Sequence, residues 1–347
     1  MKKILIIKMD HLGDVLWSFP AIEAIVDSKK YGEHHILCTP YNESACKKIP
    51  GIDKVITYDI TWPISKKYRL IRNLKKEKYD LALVMGPADK VNYLAYLSGA
   101  RKRIGYYLAG KPLVFLADLV FMTKRYPHPA DIAHREGKPL PHEVEALCGL
   151  VEKIGIKTPA SPEIKFPVKD DEIKSAREIV YKKIGTDKPI ASIQLCTKAF
   201  RYGWEGTNFI KLALEARSAF PGYSWFVIGG PLEERFLPGY ILELEKNGIP
   251  VISGLKLGQV AGVFSMLDLF ISWDTGVVHL ALAMGTPVVD VFPAKDFDYC
   301  VRRWGPWKGK SKIIVQESSS LDENTRGQII KSTGEFIHEG TGKTVGS

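Results

Sequence analysis

Short apolar runs alternate with turns and amphipathic stretches along this chain, and that rhythm limits the fold more than any other feature. Ile4–Ile7 is followed by Gly13-Asp14 and an amphipathic stretch from Val15 to Val26; His35–Cys38, Val55–Tyr58 and Leu81–Met85 follow, with helix-like segments between them. The rhythm restarts at Pro189 with Ile190–Gln194, a helix over Asn208–Ala219, then Trp225–Ile228, Val251–Ser253, Leu269–Ile271 and Val288–Phe292. A late helix is expected over Thr325–Ile337. Alternating strand and helix patterns predict an α/β protein with parallel, doubly wound sheets covered on both faces. With 347 residues, two such domains are expected. The boundaries read as 1–165, 166–324 and a C-terminal helix and tail over 325–347, with a linker over Pro159–Pro167. Ligands bind at the carboxyl ends of strands in such sheets, so both domains are expected to face a common cleft. The stretch Tyr126–His142, with four prolines and three histidines, breaks the rhythm and reads as a long loop.

Charge is unevenly distributed. Residues 1–165 hold 27 lysines and arginines against 18 acids, and the remainder 22 against 21. The N-terminal half is therefore expected to meet something acidic, unless its charge serves solubility alone. The five cysteines are scattered with no C-x-x-C pair, which fits a reduced compartment rather than a zinc site or disulfide framework. The first apolar run, Ile4–Ile7, ends at Lys8 and Asp10, too short for a signal peptide core. No uninterrupted apolar run is long enough to suggest a membrane-spanning helix.

Four strand ends carry candidate chemistry. In Lys8-Met9-Asp10-His11-Leu12-Gly13-Asp14 the first strand turns into the first helix, and Asp14 either caps that helix or presents a carboxylate to a ligand. In Ser272-Trp273-Asp274-Thr275-Gly276-Val277-Val278-His279 a strand opens a helix whose first amides suit a diphosphate; the alternative is a capped helix with a core histidine. Thr197-Lys198-Ala199-Phe200-Arg201 brings two cations to a strand end, either for a leaving nucleoside diphosphate or as an exposed basic loop. Gly229-Gly230-Pro231-Leu232-Glu233-Glu234 is a turn whose acid has the position to bond ribose hydroxyls. It lacks G-x-G-x-x-G, which disfavours a nicotinamide cofactor. No D-x-D pair is expected near a strand end, so no metal site is expected. Thr341-Gly342-Lys343-Thr344 is not a P-loop, because Ile337 stands where its first glycine belongs.

In their order these motifs resemble glycosyltransferase family 9, the heptosyltransferases of the lipopolysaccharide inner core. The resemblance rests on Asp10-His11-Leu12-Gly13-Asp14 followed by Pro20-Ala21, and on Asp274 to His279 followed by Ala281 to Pro287. Pro50 to Val55, Gly99 to Tyr106, and His142 with Glu145 also match. The resemblance implies a GT-B fold and an inverting, metal-independent transfer with no cofactor. It implies Asp14 as general base, with Asp10, His11 and Gly13 near the acceptor. Thr197, Lys198, Arg201, Glu233, Asp274, Thr275, Gly276 and His279 would hold a nucleotide-sugar donor, by implication ADP-linked. The acceptor would be an acidic, lipid-linked saccharide. The chain departs from the pattern at Trp204, preceded by Tyr202-Gly203 and followed by Glu205, and at Trp273, where a small polar residue is usual. Whether Lys198 or Arg201 is the main diphosphate cation stays open.

Two rival readings are a nucleotide-sugar epimerase of the same fold and a nucleic-acid-binding protein; no nucleic-acid motif supports the latter. The segment Thr61 to Lys78 holds seven basic residues and one acid, Glu77. Helical spacing aligns Ile64, Tyr68, Ile71 and Leu74 in a stripe expected to pack on the sheet. The surplus charge predicts a cytoplasmic enzyme held reversibly at an anionic inner-membrane surface, without insertion.

Overall fold

The computed structural model describes residues 1–86, 88–107, 116, 119–185, 188–204 and 207–341. The chain divides into two compact units, Met1–Pro167 with Arg302–Trp304, and Val168–Val301 with Gly305–Ser347. The Thr341–Thr344 motif lies, apart from its first residue, outside the described residues.

The first unit holds β1 (Lys3–Lys8), β2 (Glu33–Cys38), β3 (Lys54–Thr57), β4 (Leu81–Val84), β5 (Lys102–Tyr107) and β6 (Lys124–Pro127). Their order is β3-β2-β1-β4-β5-β6, every pair parallel. Such strands are buried on both faces, which is why they read as apolar runs rather than alternations. Ile4 to Ile7 are fully buried. Helix α1 (Leu12–Asp27) follows β1 and is buried along most of its length. Helix α2 is the single turn Glu43–Cys46, α3 spans Ile64–Glu77 and α4 spans Ala88–Leu97.

The stretch Tyr126–His142 is not one loop. Its start completes edge strand β6, and Pro129–Arg135 forms helix α5. An edge strand tolerates Pro127 because one side of it has no ladder partner. Pro129 takes the first helical position, where a missing N–H costs nothing, and His128 Nδ1 accepts from Ala130 N at 3.2 Å. Helix α6 (Glu143–Glu152) follows and packs on α1.

The second unit opens with α7 (Asp170–Ile184), a helix that the sequence reading passed over. Its strands are β7 (Ile190–Gln194), β8 (Ser224–Ile228), β9 (Val251–Ile252), β10 (Leu269–Trp273), β11 (Val288–Pro293) and β12 (Ser311–Gln316). They run β12-β11-β10-β7-β8-β9, again all parallel. Counted from β7, this is the same doubly wound order as in the first unit. Its helices are α8 (Thr197–Phe200), α9 (Thr207–Ala219), α10 (Pro231–Phe236), α11 (Pro238–Lys246), α12 (Leu257–Phe264), α13 (Gly276–Ala283), α14 (Phe297–Trp304) and α15 (Glu323–Thr341). The last three residues of α14 belong to the first unit. Trp204 and Trp273 are fully buried, their rings edge-on at 5.4 Å. Gly203 makes this packing possible, at φ +79°. A Cβ there would lie 2.3 Å from the Ser319 carbonyl oxygen.

Candidate functional site

In each sheet the order reverses between the first strand and the fourth, and loops leaving those two strands diverge to opposite faces. The first unit's reversal lies between β1 and β4, and the second's between β7 and β10. Three of the four turns singled out in the sequence leave β1, β7 and β10; the fourth, at Gly229, leaves the neighbouring strand β8.

In the first unit the turn is built on a buried lysine. Lys8 ends β1, is only 1% exposed, and donates to the Met85 carbonyl at 2.7 Å. Its Nζ lies 2.7 Å from Asp10 Oδ2. Gly86, after β4, allows this approach, since a Cβ there would sit 2.9 Å from Asp10 Oδ2. Asn42 Nδ2 donates to the Asp10 carbonyl at 2.5 Å and fixes the main chain of the turn. Asp14, in the first turn of α1, accepts weakly from His11 N at 3.3 Å. It therefore does cap the helix, yet this bond leaves most of its acceptor capacity unused. Burial pushes the Asp14 carboxyl above its ordinary range, with the Asp10 and Glu143 charges adding to the rise and Lys8 opposing it. His11 is exposed and Gly13 buried.

Next to this turn lies a second buried network. Arg303 Nη2 donates to Glu143 Oε2 at 2.7 Å, and His128 Nε2 lies 3.6 Å from the same oxygen. Burial alone would raise the Glu143 carboxyl, but His128, Arg303 and Lys8 outweigh it and pull it down to about 2. The neighbouring His142 and Glu145 belong to the motifs that carry the family resemblance. Those two residues cap α6: His142 Nδ1 accepts from Val144 N and Glu145 Oε2 accepts from His142 N, at 3.2 and 2.9 Å. Glu143, between them, carries the electrostatics, and no spacing rule marks it.

In the second unit Lys198 and Asp274 form an ion pair at 2.7 Å, and Lys198 Nζ also donates to the Asp274 carbonyl at 2.6 Å. Their side chains are 46% and 25% exposed. Thr275 is the N-cap of α13 but makes no capping bond with its side chain. Its hydroxyl donates to Gln194 Oε1 at 2.8 Å, and Ser272 Oγ donates to the same oxygen at 2.5 Å. Thr275 thus does not cap α13 with its side chain, while its carbonyl accepts from Val278 N at 3.1 Å. Gln194, unmarked in the sequence reading, sets both hydroxyls. His279 is buried within α13. Arg201 is exposed at the end of α8.

Glu233, expected to bond ribose hydroxyls, also has main-chain partners. One carboxylate oxygen accepts from Thr197 N at 2.8 Å and the other from Gly230 N at 3.0 Å, so it ties the β7 and β8 turns together. Behind Asp274 lies Asp290 of β11, 1% exposed, with one carboxyl oxygen unpartnered among the described residues. Burial, and then the charge of Asp274, hold Asp290 well above the ordinary carboxylate range.

Against the expectation, a D-x-D spacing does occur near a strand end, at Asp296 and Asp298 after β11. Both are exposed, Asp296 in the left-handed region at φ 55°. Glu33, His35 and Glu77 also converge within metal-ligating distance. Lys3 lies 2.7 Å from Glu33, and Lys54 lies 2.8 Å from Glu77, so lysines already neutralise both carboxylates.

Two doubly wound units with charged turns at their switch points define a GT-B α/β protein. The sequence profile of Glycosyltransferase family 9 (heptosyltransferase) matches residues 67–332, and the chain belongs to that family. It is 20% identical over 335 residues to the lipopolysaccharide core heptosyltransferase OpsX of Haemophilus influenzae, covering 96% of this chain and 89% of that one. A family 9 glycosyl transferase from Veillonella parvula superposes with a TM-score of 0.78 at 19% identity, over 97% of both chains. ADP-heptose lps heptosyltransferase II of E. coli gives a TM-score of 0.76 at 14% identity, over 98% of this chain and all of that one. The protein is thus a glycosyltransferase of the heptosyltransferase family.

Proposed function

We propose that this enzyme transfers heptose from ADP-heptose, with inversion and without a metal, onto an acidic, lipid-linked saccharide at the cytoplasmic face of the membrane. One observation carries the reading: a half-buried carboxylate, Asp14, stands at the switch point above a buried lysine. Burial makes Asp14 a stronger base than an exposed carboxylate, and the Lys8 charge opposes that rise. The acceptor hydroxyl gives its proton to Asp14 as its oxygen attacks the anomeric carbon. The bond from that carbon to the diphosphate breaks, and its electron pair leaves on the diphosphate oxygen. The second unit receives that charge. Lys198 turns from Asp274 to the diphosphate, at small cost because half-exposed ion pairs contribute at most about 1 kcal/mol. The Thr275 and Gly276 amides at the start of α13 add hydrogen bonds. Thr197, Arg201, Glu233 and His279 line or brace this pocket, while Asp10, His11 and Gly13 border the acceptor. The name of the E. coli structure supports heptose and ADP, and the basic first unit supports an acidic acceptor.

Asp14→Asn tests the assignment. Donor affinity by calorimetry should hold while turnover falls roughly 10²–10⁴-fold; near wild-type turnover refutes it. The same assay in saturating chelator should be unchanged. Loss restored by added Mg²⁺ would point to Asp296 and Asp298 as metal ligands.

A further inference from the structure

Helix α3 does not pack as its apolar stripe predicts. Only Leu74 is buried, with Leu70 and Ile71 half-buried beside it. The buried face is thereby rotated away from the helix start. Ile64 is left 85% exposed and Tyr68 66%, and Ile60 in the preceding turn is 72% exposed. Ile64, Tyr68, Arg72 and Lys75 fall at i, i+4, i+8 and i+11, one line along the helix. Arg69 and Lys76 are exposed nearby. The acid of this helix, Glu77, is turned to Lys3 and Lys54, at 3.1 and 2.8 Å. Trp62 lies under the Lys66 ammonium, 3.4 Å from ring centroid to Nζ.

Isolated exposed apolar residues need no explanation. Three in succession, set within a field where Asp59 meets Lys66 and Lys67 but Arg69, Arg72, Lys75 and Lys76 stay in excess, have the composition of a helix that lies in a membrane interface. We propose that this face of α3 docks on an anionic lipid bilayer, with Ile60, Ile64 and Tyr68 entering the headgroup layer and Arg69, Arg72, Lys75 and Lys76 meeting lipid phosphates. A nucleic acid or acidic polysaccharide would satisfy the charges but offers no apolar phase to Ile64. The proposal deepens the reading of a lipid-linked acceptor, rests on it, and replaces charge-only contact with shallow insertion.

Vesicles without saccharide read the surface alone, and turnover on a soluble, deacylated acceptor reads the catalytic assignment alone. Wild-type protein should pellet with phosphatidylglycerol-containing vesicles and not with phosphatidylcholine vesicles. Neutralising Arg69, Arg72, Lys75 and Lys76 to Gln should weaken binding about five-fold per charge. Ile64→Ser with Tyr68→Ser should weaken it on the order of ten-fold and remove the fraction that resists high salt. Both variants should keep wild-type melting and turnover on the soluble acceptor. Equal pelleting with both vesicles, or none with either, overturns the proposal. So does a serine variant that binds as wild type, which would leave Leu116, Leu119 and Val120 as the exposed apolar alternative. Lost turnover on the soluble acceptor also overturns it, by placing α3 in the acceptor site.

Discussion

Replacing Lys8 by Met isolates the device on which the proposed base depends. The substitution keeps the apolar stem and removes the ammonium, which is 1% exposed and lies 2.7 Å from both the Asp10 carboxylate and the Met85 carbonyl oxygen. Removing one member of a buried ion pair costs about 3–5 kcal/mol, because the other charge stays buried without its partner. At about 2–4 °C per kcal/mol for a unit of this size, melting should fall by roughly 10 °C. The Lys8 ammonium is held above its ordinary range, its burial outweighed by the Asp10 and Asp14 charges. Its stabilisation is therefore complete below pH 10.5 and lost only as pH rises past the folded value. The Lys8 charge itself therefore adds no pH dependence to the melting deficit between pH 6 and 9. Asp14 loses the cation that opposes its rise, so its carboxyl should move up further. The acid limb of the turnover profile should move to higher pH by the same amount, with activity recovering in more alkaline buffer. Adding Asp10→Asn removes the orphaned carboxylate and one charge that raises Asp14. The double variant should regain stability and bring the acid limb partly back. An acid limb that stays in place or moves to lower pH in Lys8→Met refutes the coupling of Lys8 to Asp14.

Two further outcomes follow from the second unit. Lys198→Ala should change melting by no more than about 1 kcal/mol, since its ion pair is half-exposed, yet weaken nucleoside diphosphate affinity by at least ten-fold; unchanged calorimetric affinity removes Lys198 from the donor site. Asp290 has a raised carboxyl, so its contribution to stability is full in acid and is lost as pH rises through the folded value. Asp290→Asn should therefore gain in melting temperature relative to wild type between pH 4 and pH 8, and a difference independent of pH refutes the assignment.

What the sequence determines by itself is the alternation of strand and helix and the turns that carry the candidate residues. Buried parallel strands must be apolar on both faces, so runs such as Ile4–Ile7 and Val288–Phe292 are legible without any partner. The turns after β1, β7 and β10 are legible because charge and glycine at a strand end have few structural uses. Less legible are elements whose reasons lie elsewhere in the chain. Pro127 and Pro129 read as loop residues, and only an edge position and a capping histidine turn them into β6 and α5. Helix α7 went unread because its run of charge hides an inner face of Ala176 and Val180.

Tertiary structure alone decides which charges meet. Lys198 and Asp274 stand 76 residues apart and Arg303 and Glu143 160 apart, and each pair closes only when the sheets form. The same holds for burial. Helical spacing drew a stripe through Ile64, Tyr68, Ile71 and Leu74, but the sheet receives only its later part. Periodicity fixes which residues share a face, whereas how far that face turns toward the core depends on what the neighbouring elements leave open. Sequence therefore located Asp14, while folding placed Lys8 beneath it, Asn42 behind its turn and Glu143 beside it, and these neighbours set its affinity for a proton.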